Sequence, residues 1–519
     1  MGVTPALSDE ERPSTQRRYD GAVGKKSRHS AIKAGASANP GAVGAGPGTD
    51  PGETLERALA ELWAAISAGD VLNAELQTAA FVAMPQLTDS SPEEVEMLAD
   101  ALIDAASEHH SGEESAAFFR LLMSLGSRSS KREASKALAK LTEDGIYPPS
   151  WVTSIGKPVP RQAWRLSDVF GDRETIVVTF SYDDVEHALL VANYLAETPT
   201  ADMIGVGTDA DGMLKALQDS VEPFERLEQI TLAEARQHLE APLASAGQDP
   251  DLALDSSSVL CLPLARSRFR RLPSDDAGQT VAYTADDRAA AVDEFLRSPE
   301  GANAGDPDSA RFWATVLTGY SSRVPHEPPA QVGPLRLTAA LLVHVARTFT
   351  LTDPQHDGLR PAVTAWTRWA AGRQGLDEAA TDLLMTQLPG ILDEFQPAYD
   401  DPYNVLARGY LRDVVSHDAD LGWLADQRAR REFAAPLPED RDPGVATIDA
   451  TALEGRAEMV FAEFAGCVGK GAEMIRAMTA VTRIVEEIWH DNPPATWEKA
   501  NRLLAEGFSR HEVMHRLAG

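Results

Sequence analysis

Apolar residues recur every three to four positions through residues 54–145, and that spacing predicts successive α-helices. Leu55, Leu59, Leu62, Trp63 and Ile66 form the first stripe, which Gly69 ends. A second helix is expected over Val71–Ala83. Ser91-Pro92-Glu93-Glu94 supplies a cap, a proline at the first helical position and a glutamate at the third, so a further helix should open there. Two more are expected near 114–125 and 131–142. Short polar joins between helices of this length imply antiparallel packing.

The pattern changes at Tyr147-Pro148-Pro149, which breaks the helical run. Thr175-Ile176-Val177-Val178-Thr179-Phe180 is β-branched and predicts a strand, and 187–195 predicts another. Asp183 and Asp184 between them suit a hairpin connection. Further strands are expected near 203–206 and 227–230, with a helix over 212–217. Thr231-Leu232-Ala233-Glu234 is a capping box opening a helix towards Leu243. From Thr284 the helical period returns, with helices expected over 311–317, 337–348, 359–371, 376–395 and 404–415. Met474, Met478, Val481, Val485 and Ile488 form one buried stripe. A loop is expected at 436–443, and Asp491-Asn492-Pro493-Pro494 turns into two short final helices.

The fold expected is therefore mainly α, with a small α+β module, largely antiparallel in its sheet, in the middle. Residues 1–53 read as a disordered basic arm, 54–146 as an N-terminal helical domain, 147–283 as the α+β module, and 284–519 as a C-terminal helical domain with a short helical tail. The arm is rich in Gly, Ala, Pro and Ser and lacks the apolar surface to offset the entropy of ordering. Between Arg12 and Lys33 its bases Arg12, Arg17, Arg18, Lys25, Lys26, Arg28 and Lys33 face only Asp20. It is either a solvated tail or a docking arm for nucleic acid or for the acidic body.

The formal net charge is −31, which disfavours broad nucleic-acid binding because phosphates are repelled. Cys261 and Cys467 lie far apart in sequence in apolar surroundings, and nothing in their placement suggests a disulfide framework or a cysteine-ligated zinc site. No signal-peptide core and no membrane-length apolar run is visible, so a cytoplasmic protein is expected, with no membrane partner.

The string that spells a catalytic site is His511-Glu512-Val513-Met514-His515, an H-E-x-x-H. On a helix the two histidines share a face and can hold zinc, with the glutamate as general base. A third ligand would have to come from upstream, with His490, Asp491 and Glu487 nearest. The same residues have a local explanation. Ser509-Arg510-His511-Glu512 is a capping box in which Glu512 reaches back to the Ser509 amide, and a glutamate held there cannot face a metal-bound water. The expectation is a docking helix, with no catalytic, cofactor-binding or metal residue. The alternative is zinc at His511, His515 and His490 with Glu512 as base.

Other strings in the chain also admit a chemical and a structural reading. Gly205-Val206-Gly207-Thr208-Asp209-Ala210 matches G-x-G-x-x-A, but Asp209 and Asp211 would repel a pyrophosphate, and a tight turn is expected. Gly469-Lys470-Gly471 is not a phosphate loop, because Phe464 stands where its first glycine belongs. Asp183, Asp184, Glu186 and His187 could ligate a metal, though acids at a hairpin usually face solvent. Arg266, Arg268, Arg270 and Arg271 around Phe269 could bind phosphate or a carboxylate-rich partner, or form a surface element balanced by Asp275 and Asp276.

Three stretches carry a resemblance. They are Tyr147-Pro148-Pro149-Ser150-Trp151 with 177–190, then 359–376 containing Ala365-Trp366-Thr367-Arg368-Trp369-Ala370, and the tail from Asn492-Pro493-Pro494 through Trp497 to 507–515. The arrangement resembles a group of large uncharacterised actinobacterial cytoplasmic proteins, and the tail is similar to helix pairs on bacterial proteins of unknown function. The resemblance carries no known activity and implies a reused docking helix at His511 and His515. The expected function is a non-enzymatic interaction or regulatory protein with an unknown protein partner. The alternatives are a zinc-dependent hydrolase and a nucleic-acid-associated protein using the basic arm and the Arg266 to Arg271 cluster.

Overall fold

A computed structural model describes residues 51–84, 103, 106, 112–182, 185–196, 199–246, 254–274, 283–321, 327–411, 421–436, 448–464, 472–506 and 508–518. The chain divides into two units, Met1–Gln279 and Thr280–Gly519. It is mainly helical with one five-stranded antiparallel sheet, as the patterning predicts. Arm residues 1–50, the capping signal at Ser91, Asp183 and Asp184, most of the 436–443 loop and Gly469 to Gly471 lie outside the described residues.

In the first unit, α1 (Pro51–Ala68), α2 (Val71–Ala83), α3 (Gly112–Leu125) and α4 (Arg128–Glu143) agree with the expected helices. The sheet follows, with strands β1 (Val159–Asp168), β2 (Arg173–Tyr182), β3 (Val185–Tyr194), β4 (Thr200–Gly207) and β5 (Glu225–Ile230) in the order β4-β3-β2-β1-β5. All four pairings are antiparallel. Strand β1 has no counterpart among the expected strands. Helix α5 (Ala210–Asp219) separates β4 from β5, and α6 (Leu232–Ser245) and α7 (Ser256–Phe269) follow β5. The Thr231–Glu234 capping box is present at the start of α6.

Side chains alternate across the strands, so each face has its own core. Val177, Ala188, Leu190 and Met203 pack with Ala210, Met213 and Leu217 of α5. Ile176, Val178, Phe180, Leu189, Val191, Ile204 and Val206 point the other way. They pack with Leu239 and Leu243 of α6, Leu262 and Ala265 of α7, and Leu72 and Leu76 of α2. Helix α2 also gives Ala74 to a helical core with Leu62, Ile66, Phe118 and Leu122. The expected boundary at 146/147 therefore falls inside a single unit, because α2 belongs to both cores.

The second unit is helical throughout its described residues. Its elements are α8 (Ala285–Arg297), α9 (Pro307–Ser321), α10 (Pro334–Thr338), a π-helical stretch (Ala339–Val345), α11 (Ala346–Thr348), α12 (Asp353–Gln374), α13 (Glu378–Tyr399) and α14 (Pro402–Leu411). After these come α15 (Leu421–Ala434), α16 (Leu453–Phe464), α17 (Ala472–His490), α18 (Pro494–Ala505) and α19 (Arg510–Ala518). The α17 stripe buries Val481, Val485 and Ile488 with Phe464, Trp489, Trp497, Val513 and Met514. The tail helix α19 is thus part of a core. Among the described residues, no helix is long and apolar enough to cross a membrane.

Candidate functional site

The H-E-x-x-H residues lie in the first turns of α19. Glu512 Oε2 accepts from the Ser509 amide at 2.7 Å and from Ser509 Oγ at 2.9 Å, while the Glu512 amide donates to Ser509 Oγ at 3.3 Å. This is the capping box that the spacing predicts. The Ser509 amide, then its hydroxyl, hold the Glu512 carboxyl below its usual range. His511 and His515 stand on one face, one turn apart, with their Nε2 atoms 3.1 Å from each other. His511 stacks flat on Phe464 at 4.5 Å between ring centroids, and His515 meets the same ring edge-on at 5.4 Å. Arg510 donates to the Phe433 carbonyl at 2.6 Å and pairs with Glu463. His490 is half-exposed beside Glu486, at 3.4 Å. Among the described residues no group of three or more His, Cys, Asp or Glu is placed to hold a metal, so His490 does not complete a site with the tail pair. The glutamate of the motif is therefore held by its own cap, and no third ligand stands with the tail pair among the described residues.

The first unit holds a second constellation, which the sequence reading did not assemble. Glu75 of α2, Tyr182 of β2, His187 of β3 and Arg268 of α7 meet in the core, none more than 8% exposed. Arg268 Nη2 donates to Glu75 Oε2 at 2.6 Å, and the Tyr182 hydroxyl donates to the same oxygen at 2.7 Å. The Gly156 amide donates to Glu75 Oε1 at 2.7 Å. Gly156 has φ +66°, a conformation that side chains rarely adopt, and an added Cβ would meet Ser124 Oγ at 2.8 Å. Arg268 Nε donates to His187 Nε2 at 2.9 Å, so His187 carries its proton on Nδ1. Phe180 and Tyr182 stack on the imidazole at 5.6 and 5.7 Å.

Burial, then the Arg268 charge, pushes His187 down to about 2, so the ring is neutral at ordinary pH. Burial raises the Tyr182 hydroxyl, Arg268 opposes, and the Glu75 charge adds to the rise, so the phenol keeps its proton. Every one of these groups is shut from solvent. The arrangement clamps α2, the β2–β3 pair and α7 together. His187 Nδ1 and Arg268 Nη1 are buried without a partner among the described residues.

This corrects two expectations. His187 belongs to the core and not to a solvated hairpin or a metal site. The arginine cluster is divided: Arg270 and Arg271 are exposed, as a surface element requires, whereas Arg268 is the buried cation and Arg266 donates to the carbonyls of Leu243 and Ala246 at 3.2 Å. Asp275 and Asp276 lie outside the described residues. At Gly205 to Ala210, β4 ends at Gly207 and Asp209 caps α5, accepting from the Gly212 amide at 2.8 Å. The cap carboxylate occupies the place a pyrophosphate would need, and the strand before it is antiparallel to its neighbour.

Two further polar groups were missed by the sequence reading. Glu174, buried on the clamp's side of the sheet, accepts from Arg165 Nε at 2.9 Å and Asn193 Nδ2 at 3.0 Å, and lies 2.9 Å from His238 Nδ1. In the second unit Arg456 pairs with both oxygens of Glu486 and lies over Trp489 at 4.4 Å, with Arg431 over the same ring at 5.0 Å. Cys261 is a buried free thiol that burial pushes up to about 11. Comparison of the chain with protein-family models, with curated proteins and with solved structures returns no match in any of the three.

Three outcomes are expected. Glu75→Ala leaves Arg268 buried and unpaired, and should cost about 3–5 kcal/mol in urea unfolding; a loss below about 1 kcal/mol would show that the clamp carries no weight. His187 binds no proton when folded until about pH 2, but binds one near pH 6.5 when unfolded. Stability from this group is therefore complete above about pH 6.5 and falls as pH drops below it, with a slope of up to ~1.4 kcal/mol per pH unit. Unfolding midpoints between about pH 5 and 6.5 should fall more steeply for wild type than for His187→Gln, and parallel curves would refute the assignment. In the tail, Ser509→Ala should cost about 1 kcal/mol. Glu512→Gln should be nearly silent, because glutamine also reaches the Ser509 amide; the reverse order in thermal unfolding would count against the cap.

Proposed function

We propose that this chain is a non-enzymatic interaction or regulatory protein of the cytoplasm, akin to the actinobacterial group that it resembles, and that α16 presents its contact surface. The observation that supports this most is the exposure of Leu453 and Phe461, at 50% and 54%, on one side of α16. Eight residues apart, they fall on one helical stripe, with half-buried Ala457 between them. The adjoining face of α16 buries Met459, Val460 and Phe464. Glu454 and Glu458 are exposed beside the stripe. An apolar strip edged by carboxylates suits a protein partner with an apolar groove lined by Lys or Arg. The non-enzymatic part of the reading draws on Glu512, whose carboxylate is engaged by Ser509, and on the sealed clamp of the first unit.

The test is crosslinking in the cells that make the protein, followed by purification of wild type and of the Leu453→Asp, Phe461→Asp double variant. Wild type should bring down a defined partner that the variant loses while keeping its own thermal midpoint. An unchanged partner set would remove α16 as the surface. Metal-dependent turnover of a peptide or ester substrate, abolished in Glu512→Gln, would replace the reading with the hydrolase alternative.

A further inference from the structure

We propose that His511 and His515 form a two-imidazole chelate for a divalent d-block cation, Cu²⁺ above Zn²⁺, with water completing its coordination. The proposal is independent of the interaction surface on α16. It starts from the separation of the two Nε2 atoms, 3.1 Å. Imidazole–metal bonds of about 2.0–2.1 Å set two nitrogens roughly 2.9 Å apart at a square-planar angle and roughly 3.3 Å apart at a tetrahedral one. The observed spacing lies between these values, so a cation can replace the shared proton with little ring movement.

The rings are already oriented. His511 lies parallel to Phe464 within 5°, and His515 meets that ring at 69°. Phe464 is fully buried, as are Val513 and Met514 of α19, so the wall and the helix that aim the rings belong to the core. Glu463 Oε1 lies 3.7 Å from His511 Nδ1, across the ring from Nε2. A carboxylate there favours a proton on Nδ1 and leaves Nε2 for the cation. Divalent affinity for imidazole rises to copper and falls at zinc, which sets the preference. Glu512 stays with Ser509, so water on the cation meets no base from the motif, and the site binds without hydrolysing.

The experiment uses the full chain and glycine-buffered Cu²⁺, followed by calorimetry and by electron paramagnetic resonance. Wild type should show a site with two equatorial nitrogens. His511→Asn and His515→Asn should each weaken it by about tenfold or more, since losing even a group that only hydrogen-bonds to a metal ligand costs that much. His490→Asn should leave it unchanged. A double His511→Asn, His515→Asn variant that binds as wild type does, or a wild-type spectrum with one nitrogen, would overturn the proposal. So would a loss on His490→Asn equal to that in the tail variants. A one-nitrogen wild-type spectrum overturns the proposal without any variant, so the test holds even where a substitution undocks the tail.

Discussion

The first unit is organised around one fully buried ion pair, Glu75 with Arg268, whose members stand 193 residues apart in the chain. Two charges taken out of water are costly, and their mutual attraction with added hydrogen bonds does little more than offset that cost. What such a pair enforces is position. An apolar contact between α2 and α7 could slide by a residue with modest loss, but a buried guanidinium that loses its carboxylate has nowhere to go. The remaining lone pairs of Glu75 require Tyr182 and the Gly156 amide, and Arg268 Nε requires His187. The pair therefore ties the register of the β2–β3 pairing to the placement of two helices. A slip of one residue in β2 would send Tyr182 and Phe180 to the opposite face of the sheet.

Such a constraint is invisible to the patterning that predicts the elements around it. Helix α2 is legible to its ends, because Val71–Ala83 is apolar on the expected period and Asp70 and Gly69 stand before it. Strand β2 is legible as a β-branched run, and β3 as the apolar run that follows it. Within α2, however, Glu75 reads as a solvent position, and within the arginine cluster Arg268 reads as one surface base among four. Polarity patterning assumes that charge faces water, so it fails where two charges face each other. His187 fails for the same reason: at the end of a hairpin with two aspartates before it, nothing local distinguishes a buried imidazole from an exposed one.

Strand β1 was missed for a different reason. Val159–Asp168 holds a proline, two arginines and a glutamine, and it buries only Ala163 and Leu166. Its place in the sheet comes from its neighbours: β2 pairs along one side and β5 along the other, so backbone hydrogen bonds hold it with little side-chain burial of its own. Helix α7 carries Pro263 in its interior and switches from apolar to basic along its length, which blurs a helical stripe. In the second unit, Arg456 and Arg431 lie against Trp489, a pairing of cation and ring between distant segments that no spacing rule encodes.

The tail shows the opposite case, a motif whose local setting was readable and decisive. Helix α19 starts at Arg510, so His511 is its second residue and Glu512 its third. At the third position a glutamate side chain reaches the amide of the capping residue, and it does so here. The same five letters placed one turn further along would leave the glutamate without that amide, free to turn towards whatever the two histidines hold. The histidines are not constrained in this way. Their rings are set by Phe464, from a helix that ends 47 residues before His511, and that part of the geometry could not be read from the spacing. One motif thus separates into a carboxylate committed to the backbone by its position in the helix and a pair of imidazoles aligned by tertiary packing. That separation is what the proposed chelate rests on: two imidazoles face each other while the glutamate of the same motif is held by the backbone.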